Sequence, residues 1–174
     1  MIQKEFIDEL FKKLDKTREE LFKTADFLPS RSFDKRFDSK WDACELLGHL
    51  YKFEFLVYTF FENCIPANTS DASLQYNPKT LSQNWFDAMN NDKEKYNAPK
   101  VMKPERILKS DYKRMFTLLR ENLKKSIYSK IRKDFSAVII PHPNGNKLNL
   151  IQWLELMEAH EKRHIRQLAK LAFQ

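Results

Sequence analysis

The chain has 174 residues, 32% of them charged, a net charge of +7 and only two glycines, Gly48 and Gly145. A chain of this length buries about two thirds of its unfolded surface as one domain without disulfide or metal staples, and two glycines cannot write a GxGxxG or Walker phosphate loop. No apolar run approaches the ~18 residues that span a bilayer and the charged N-terminus lacks a signal-peptide core, so a cytoplasmic protein with no membrane partner is expected.

The first helix is predicted from Gln3 to about Asp26, where Phe6, Ile7, Leu10, Phe11, Leu14, Leu21, Phe22 and Ala25 recur at three-and-four spacing. Pro29 ends it. A second helix opens at Asp42, with Glu45 placed to close a capping box, and the run ELLGHLYKFEFLVYTFFENC is apolar around more than half its circumference. Cys44 and Cys64 lie on that helix about 30 Å apart, too far to bridge within the chain, so both are expected as free thiols and small buried hydrophobes.

Residues 65 to 103 hold Pro66, Pro78 and Pro99 among many asparagines and read as an irregular insertion, with a short helix in TLSQNWFDAMNN. A connection of this length suits a crossover. The third helix is predicted from near Ser110 to Ser129, with Tyr112, Met115, Phe116, Leu119, Leu123 and Ile127 on one face. Pro141, Pro143 and Gly145 then exclude a helix, leaving an extended piece at Ala137 to Ile140. Asn149 and Gln152 form a second capping box for a fourth helix running to about Ala172. The expected architecture is all-α, a single-domain antiparallel four-helix bundle over residues 1 to 174, with a long crossover connection between helices 2 and 3.

Three of the four histidines fall on core stripes. On the last helix the stripe is Leu150, Trp153, Met157, His160, His164, Leu168, Leu171, and on the second it is Leu46, His49, Phe53, Val57, Phe60. Residues i and i+4 lie one above the other on a helix face, which lets His160 and His164 grip one ion while His49 supplies a third nitrogen from a facing helix. Taken singly, each reads as a hydrogen-bonded core residue rather than a ligand. Together they would need three separate partners unless an ion served all three.

The segments WDACELLGHL and PHPNGNKLNLIQWLELMEAHEKRHIRQL resemble the DinB-like (YfiT-like) superfamily of four-helix metalloproteins. The matching marks are Trp41 ahead of the second helix, His49 within it, the His-Pro and Gly145 before the last helix, and H-x-x-x-H followed by Gln167. The resemblance implies a crossover bundle holding a divalent metal ion, commonly zinc or nickel, on His49, His160 and His164. It further implies a metal-dependent enzyme, such as a transferase moving a low-molecular-weight thiol onto an electrophilic small-molecule substrate, or a hydrolase, and homodimerisation. The 65 to 103 insertion departs from the family pattern and leaves the substrate open.

Other residues have two readings each. His142, in a Pro-His-Pro loop, is a loop residue, or else a ligand or proton carrier over the pocket; Gln167 is a surface amide or a group orienting an imidazole or a substrate; Glu45 serves the cap or a ligand. Glu158 and Glu161 fall off the core stripe and are expected on a solvated face. Residues 100 to 133 hold 12 Lys/Arg against 3 Asp/Glu, which suits a solvated helix face, attraction of an anionic substrate, or nucleic acid. No recognition motif accompanies this charge, so nucleic acid ranks third as a function, after the enzyme and a non-catalytic metal-binding or stress-related bundle.

Overall fold

A computed structural model describes residues 3–33, 41–73, 84, 103–143 and 145–173. Among these, α1 spans Gln3–Phe27, a single turn α2 spans Ser30–Phe33, α3 spans Ala43–Asn63, α4 spans Tyr112–Ser129 and α5 spans Leu150–Leu171. A 3₁₀ turn at Phe135–Ala137 leads into β1 (Ile139–Pro141), which pairs antiparallel with β2 (Lys147–Asn149). The protein is an all-α bundle of four long helices with one small hairpin, and no described helix is long and apolar enough to cross a membrane. The short helix expected in TLSQNWFDAMNN lies almost wholly outside the described residues.

Both predicted capping boxes form. Asp42 accepts from the Glu45 amide at 2.9 Å and the Glu45 carboxylate accepts from the Asp42 amide at 3.2 Å; Asn149 and Gln152 do the same for α5 at 2.8 and 2.9 Å. Each box satisfies backbone donors that a helix start would otherwise leave unpaired.

The crossover expected between the second and third helices is seen in the helix directions, which do not all alternate as in a simple antiparallel bundle. Along α3 and α4, Tyr51 meets Phe116, Glu54 meets Arg120 and the Phe61 carbonyl meets Lys130, so these two run parallel. Helices α1 and α5 are also parallel: Ile7 and Leu14 share a core with Leu150 and Met157, while Leu21 and Ala25 share one with Leu168 and Leu171. Asp8 bonds Tyr128 and Asp26 bonds Tyr112, which sets α4 antiparallel to α1. Parallel neighbours cannot be joined by a short turn, which is why α3 and α4 are separated by a long crossover.

The returning strand of that crossover lies directly on α3. Ile107 N donates to Cys44 O at 3.2 Å, Arg106 pairs with Asp42 at 2.5 Å and Lys52 pairs with Glu105 at 2.8 Å. Gly48 makes this approach feasible, since a Cβ there would stand 1.5 Å from the Glu105 carbonyl oxygen. Only a residue without a side chain fits.

The buried core comes in two parts. One gathers Ile7, Leu14, Val57, Leu123 and Trp153; the other gathers Leu21, Leu47, Ile107, Phe116 and Leu168. Between them lies a layer of buried polar side chains: Arg18, His49, Glu54, Arg120, His160, Glu161 and His164.

Candidate metal centre

His49 on α3 and His160 and His164 on α5 meet in that layer, each no more than 8% exposed. His160 Nε2 lies 3.1 Å from His49 Nε2 and 3.1 Å from His164 Nε2, and one nitrogen from each of the three rings falls within 4.8 Å of the others. The Trp41 ring leans on His49 at 4.9 Å between centroids, and Phe53 covers His160 at 4.3 Å. The i, i+4 spacing on α5 and the apolar turns on either side hold this arrangement from the sequence upward.

The donor set fits a divalent ion. Imidazole nitrogens bound at about 2.0–2.1 Å to one zinc ion stand about 3 Å apart, close to the separations found. Without a cation, His160 Nε2 has one proton or one lone pair and cannot satisfy two nitrogens 3.1 Å away. On His164 the proton's place is set: Nδ1–H donates to Gln167 Oε1 at 2.8 Å, leaving the Nε2 lone pair turned to the cluster. Gln167 is half-buried, with its amide against the His164 ring.

Burial, reinforced by His164 and His49, holds His160 well below the ordinary histidine range. Burial and His49 push His164 down to about 3, against the opposing effect of the hydrogen bond it donates to Gln167. Neutral imidazoles are the form that binds metal.

The remaining sequence candidates lie elsewhere. Glu45 is engaged in the α3 cap. His142 is half-buried in the hairpin loop, where its amide donates to Asn146 O at 2.7 Å and its ring faces Trp153 at 5.3 Å; it is not part of the three-histidine cluster. Cys44 is buried and Cys64 exposed, and neither is in a disulfide, so the expectation of a buried residue fails at Cys64, which follows the last turn of α3.

Sequence reasoning placed Glu161 on a solvated face, and the structure corrects this. Glu161 is 3% exposed and belongs to a network that draws one charge from each long helix. Arg18 of α1 donates to Glu161 of α5 at 2.5 Å and to Glu54 of α3 at 2.5 Å, and Arg120 of α4 donates to Glu54 at 2.6 Å. Burial opposes the charge of Glu54, but Arg120 and Arg18 outweigh it and hold the carboxyl below its usual value. At Glu161 burial prevails over the same two arginines and the carboxyl is raised. One signal was present in the sequence: Glu54 is a lone carboxylate in the middle of the most apolar helix.

The basic run also finds partners at home. Lys113 pairs with Asp26, Lys124 with Asp15, Lys133 with Asp71 and Arg106 with Asp42. Much of the excess on residues 100 to 133 thus answers acidic residues of the first half of the chain.

The chain is similar to the uncharacterized protein YuaE of Bacillus subtilis (strain 168), with 28% identity over 134 residues that cover 76% of this chain and 77% of YuaE. No family model matches the chain. No solved structure matches it.

Proposed function

We propose that this is a DinB-like bundle in which His49, His160 and His164 hold a divalent ion, zinc or nickel, and that it is a metal-dependent enzyme transferring a low-molecular-weight thiol to an electrophilic small molecule. The convergence of three buried imidazole nitrogens from two helices carries the reading. When bound, a divalent ion supplies a positive charge that lowers the pKa of a thiol or water brought to it. The three ligands are neutral, so they leave that charge undiminished. Arg163 and Arg166 add positive potential at His164, which favours an anionic reactant. Trp41 and Phe53 wall the cluster with apolar rings.

Elemental analysis of the purified protein, paired with a thiol-conjugation assay on a chloroaryl electrophile, tests this. One equivalent of zinc or nickel is expected, with metal and conjugation both lost in His160→Ala. A variant that kept both would sink the proposal; stoichiometric metal without turnover across thiols would instead support a non-catalytic metal-binding bundle. Survival of the fold on chelation separates an open site from a structural one.

A further inference from the structure

His160 has its Nε2 in the cluster, while its other ring nitrogen, Nδ1, is buried with no hydrogen-bond partner. Buried polar atoms are costly to leave so, and in proteins they are nearly always paired with the chain or with an ordered water. Against the His160 ring lies a cavity of about 10 Å³, walled by Arg18, Glu54, Glu161 and His160 on its polar side and by Leu50 and Phe53 among its apolar contacts. That is about the room one water molecule needs, and several polar groups line it.

The two carboxylates at the cavity are not equivalent. Glu54 has both oxygens engaged, one by Arg18 at 2.5 Å and one by Arg120 at 2.6 Å. Glu161 gives Oε1 to Arg18 at 2.5 Å, but its Oε2 lies 3.7 Å from Arg120, beyond hydrogen-bonding length. Acceptor capacity therefore remains on Glu161.

We infer that the cavity is a buried water site in which the water accepts from His160 Nδ1–H and donates to Glu161 Oε2, making Glu161 the positioning residue for His160. The bond fixes the Nδ1–H tautomer and turns the Nε2 lone pair toward the cluster, as Gln167 does for His164. It also ties the imidazole cluster to the four-charge network, so the two halves of the polar layer act as one unit. Only the purpose of that lone pair rests on the metal-site proposal above.

Multiple-bond ¹H–¹⁵N spectra of the metal-free wild-type protein should show His160 protonated at Nδ1, with a cross-peak from that proton to a long-lived water. Protonation at Nε2, or an Nδ1–H with no contact to water, overturns the inference. Zinc titrations of Glu161→Gln and Glu54→Gln provide a second readout, because each variant removes one carboxylate from the same two arginines. Zinc binding should weaken about 10- to 100-fold in Glu161→Gln and by clearly less in Glu54→Gln, which loosens the same network but leaves the water its acceptor; equal losses in the two would make Glu161 a packing residue only and overturn the role. Should the wild-type protein bind no zinc, the metal-site proposal fails, while the spectra of the metal-free protein still decide the water site.

Discussion

His164 Nδ1 and Gln167 Oε1 are joined at 2.8 Å across one turn of α5, so a neutral amide three residues away decides which nitrogen of the imidazole carries its proton. Outer partners of this kind commonly account for 10- to 100-fold in metal affinity. Gln167→Ala should therefore weaken zinc binding about tenfold or more with little change in thermal stability, as read by competition with a chromophoric chelator. Unchanged affinity would return Gln167 to a surface role.

The pH dependence of the metal-free protein follows from the burial of the imidazoles. His164 is pushed down to about 3 and His160 well below its ordinary value. Below the unfolded value of about 6.5 the unfolded chain binds protons that the folded chain refuses. The contribution is present above about 6.5 and is lost as pH falls toward the folded values, by up to about 1.4 kcal/mol per unit for each histidine. Urea unfolding at pH 7 and pH 5 should show this loss, and His164→Gln should make the difference smaller. A wild-type stability that rises on acidification across this window would contradict the burial argument.

Glu54 carries two arginines at the centre of the bundle. Removing one partner from a buried ionic cluster typically costs about 3–5 kcal/mol, because the remaining charges lose their compensation. Glu54→Gln should destabilise by about that amount at pH 7, measured by denaturant unfolding. Since the folded Glu54 carboxyl sits below its usual 4.5, its contribution is present above that value and is lost as pH falls through the folded one. The gap between wild type and variant should narrow in acid; a gap that widened would refute the assignment.

Gly48→Ala tests the crossover strap. The new methyl would stand 1.5 Å from the Glu105 carbonyl oxygen, so residues 103–108 must lift from α3. Overpacking of this sort costs about 1–3 kcal/mol, and the Ile107 amide, which donates to Cys44 O, should lose its protection from hydrogen exchange. Wild-type exchange at Ile107 would show that the strap does not depend on Gly48.

How legible the protein was in its sequence depended on whether a feature repeats along one helix or exists only between helices. The capping pairs Asp42/Glu45 and Asn149/Gln152 are local patterns and form as read. The three histidines were visible because each replaces an apolar residue on a periodic stripe, and all three are buried. Glu161 escapes the pattern for the same reason: one position along from His160 it leaves the stripe, and its partners, Arg18 and Arg120, lie on other helices. The crossover between α3 and α4 was legible only through the length of the connection at 65 to 103; the contacts that make the pair parallel, such as Tyr51 with Phe116, lie between helices and leave no local pattern.

The four-charge network has a consequence for alignment. Apolar seams tolerate a slip of one helical turn, about 5.4 Å, at modest cost because one leucine replaces another. A bundle with Arg18, Glu54, Arg120 and Glu161 on four different helices cannot slip this way, since any displaced helix would strand an ion in the dry interior. The network therefore acts as a vernier for the whole molecule. It fixes the height of α3 against α5, and with it whether His49 arrives level with His160 or a full turn out of reach.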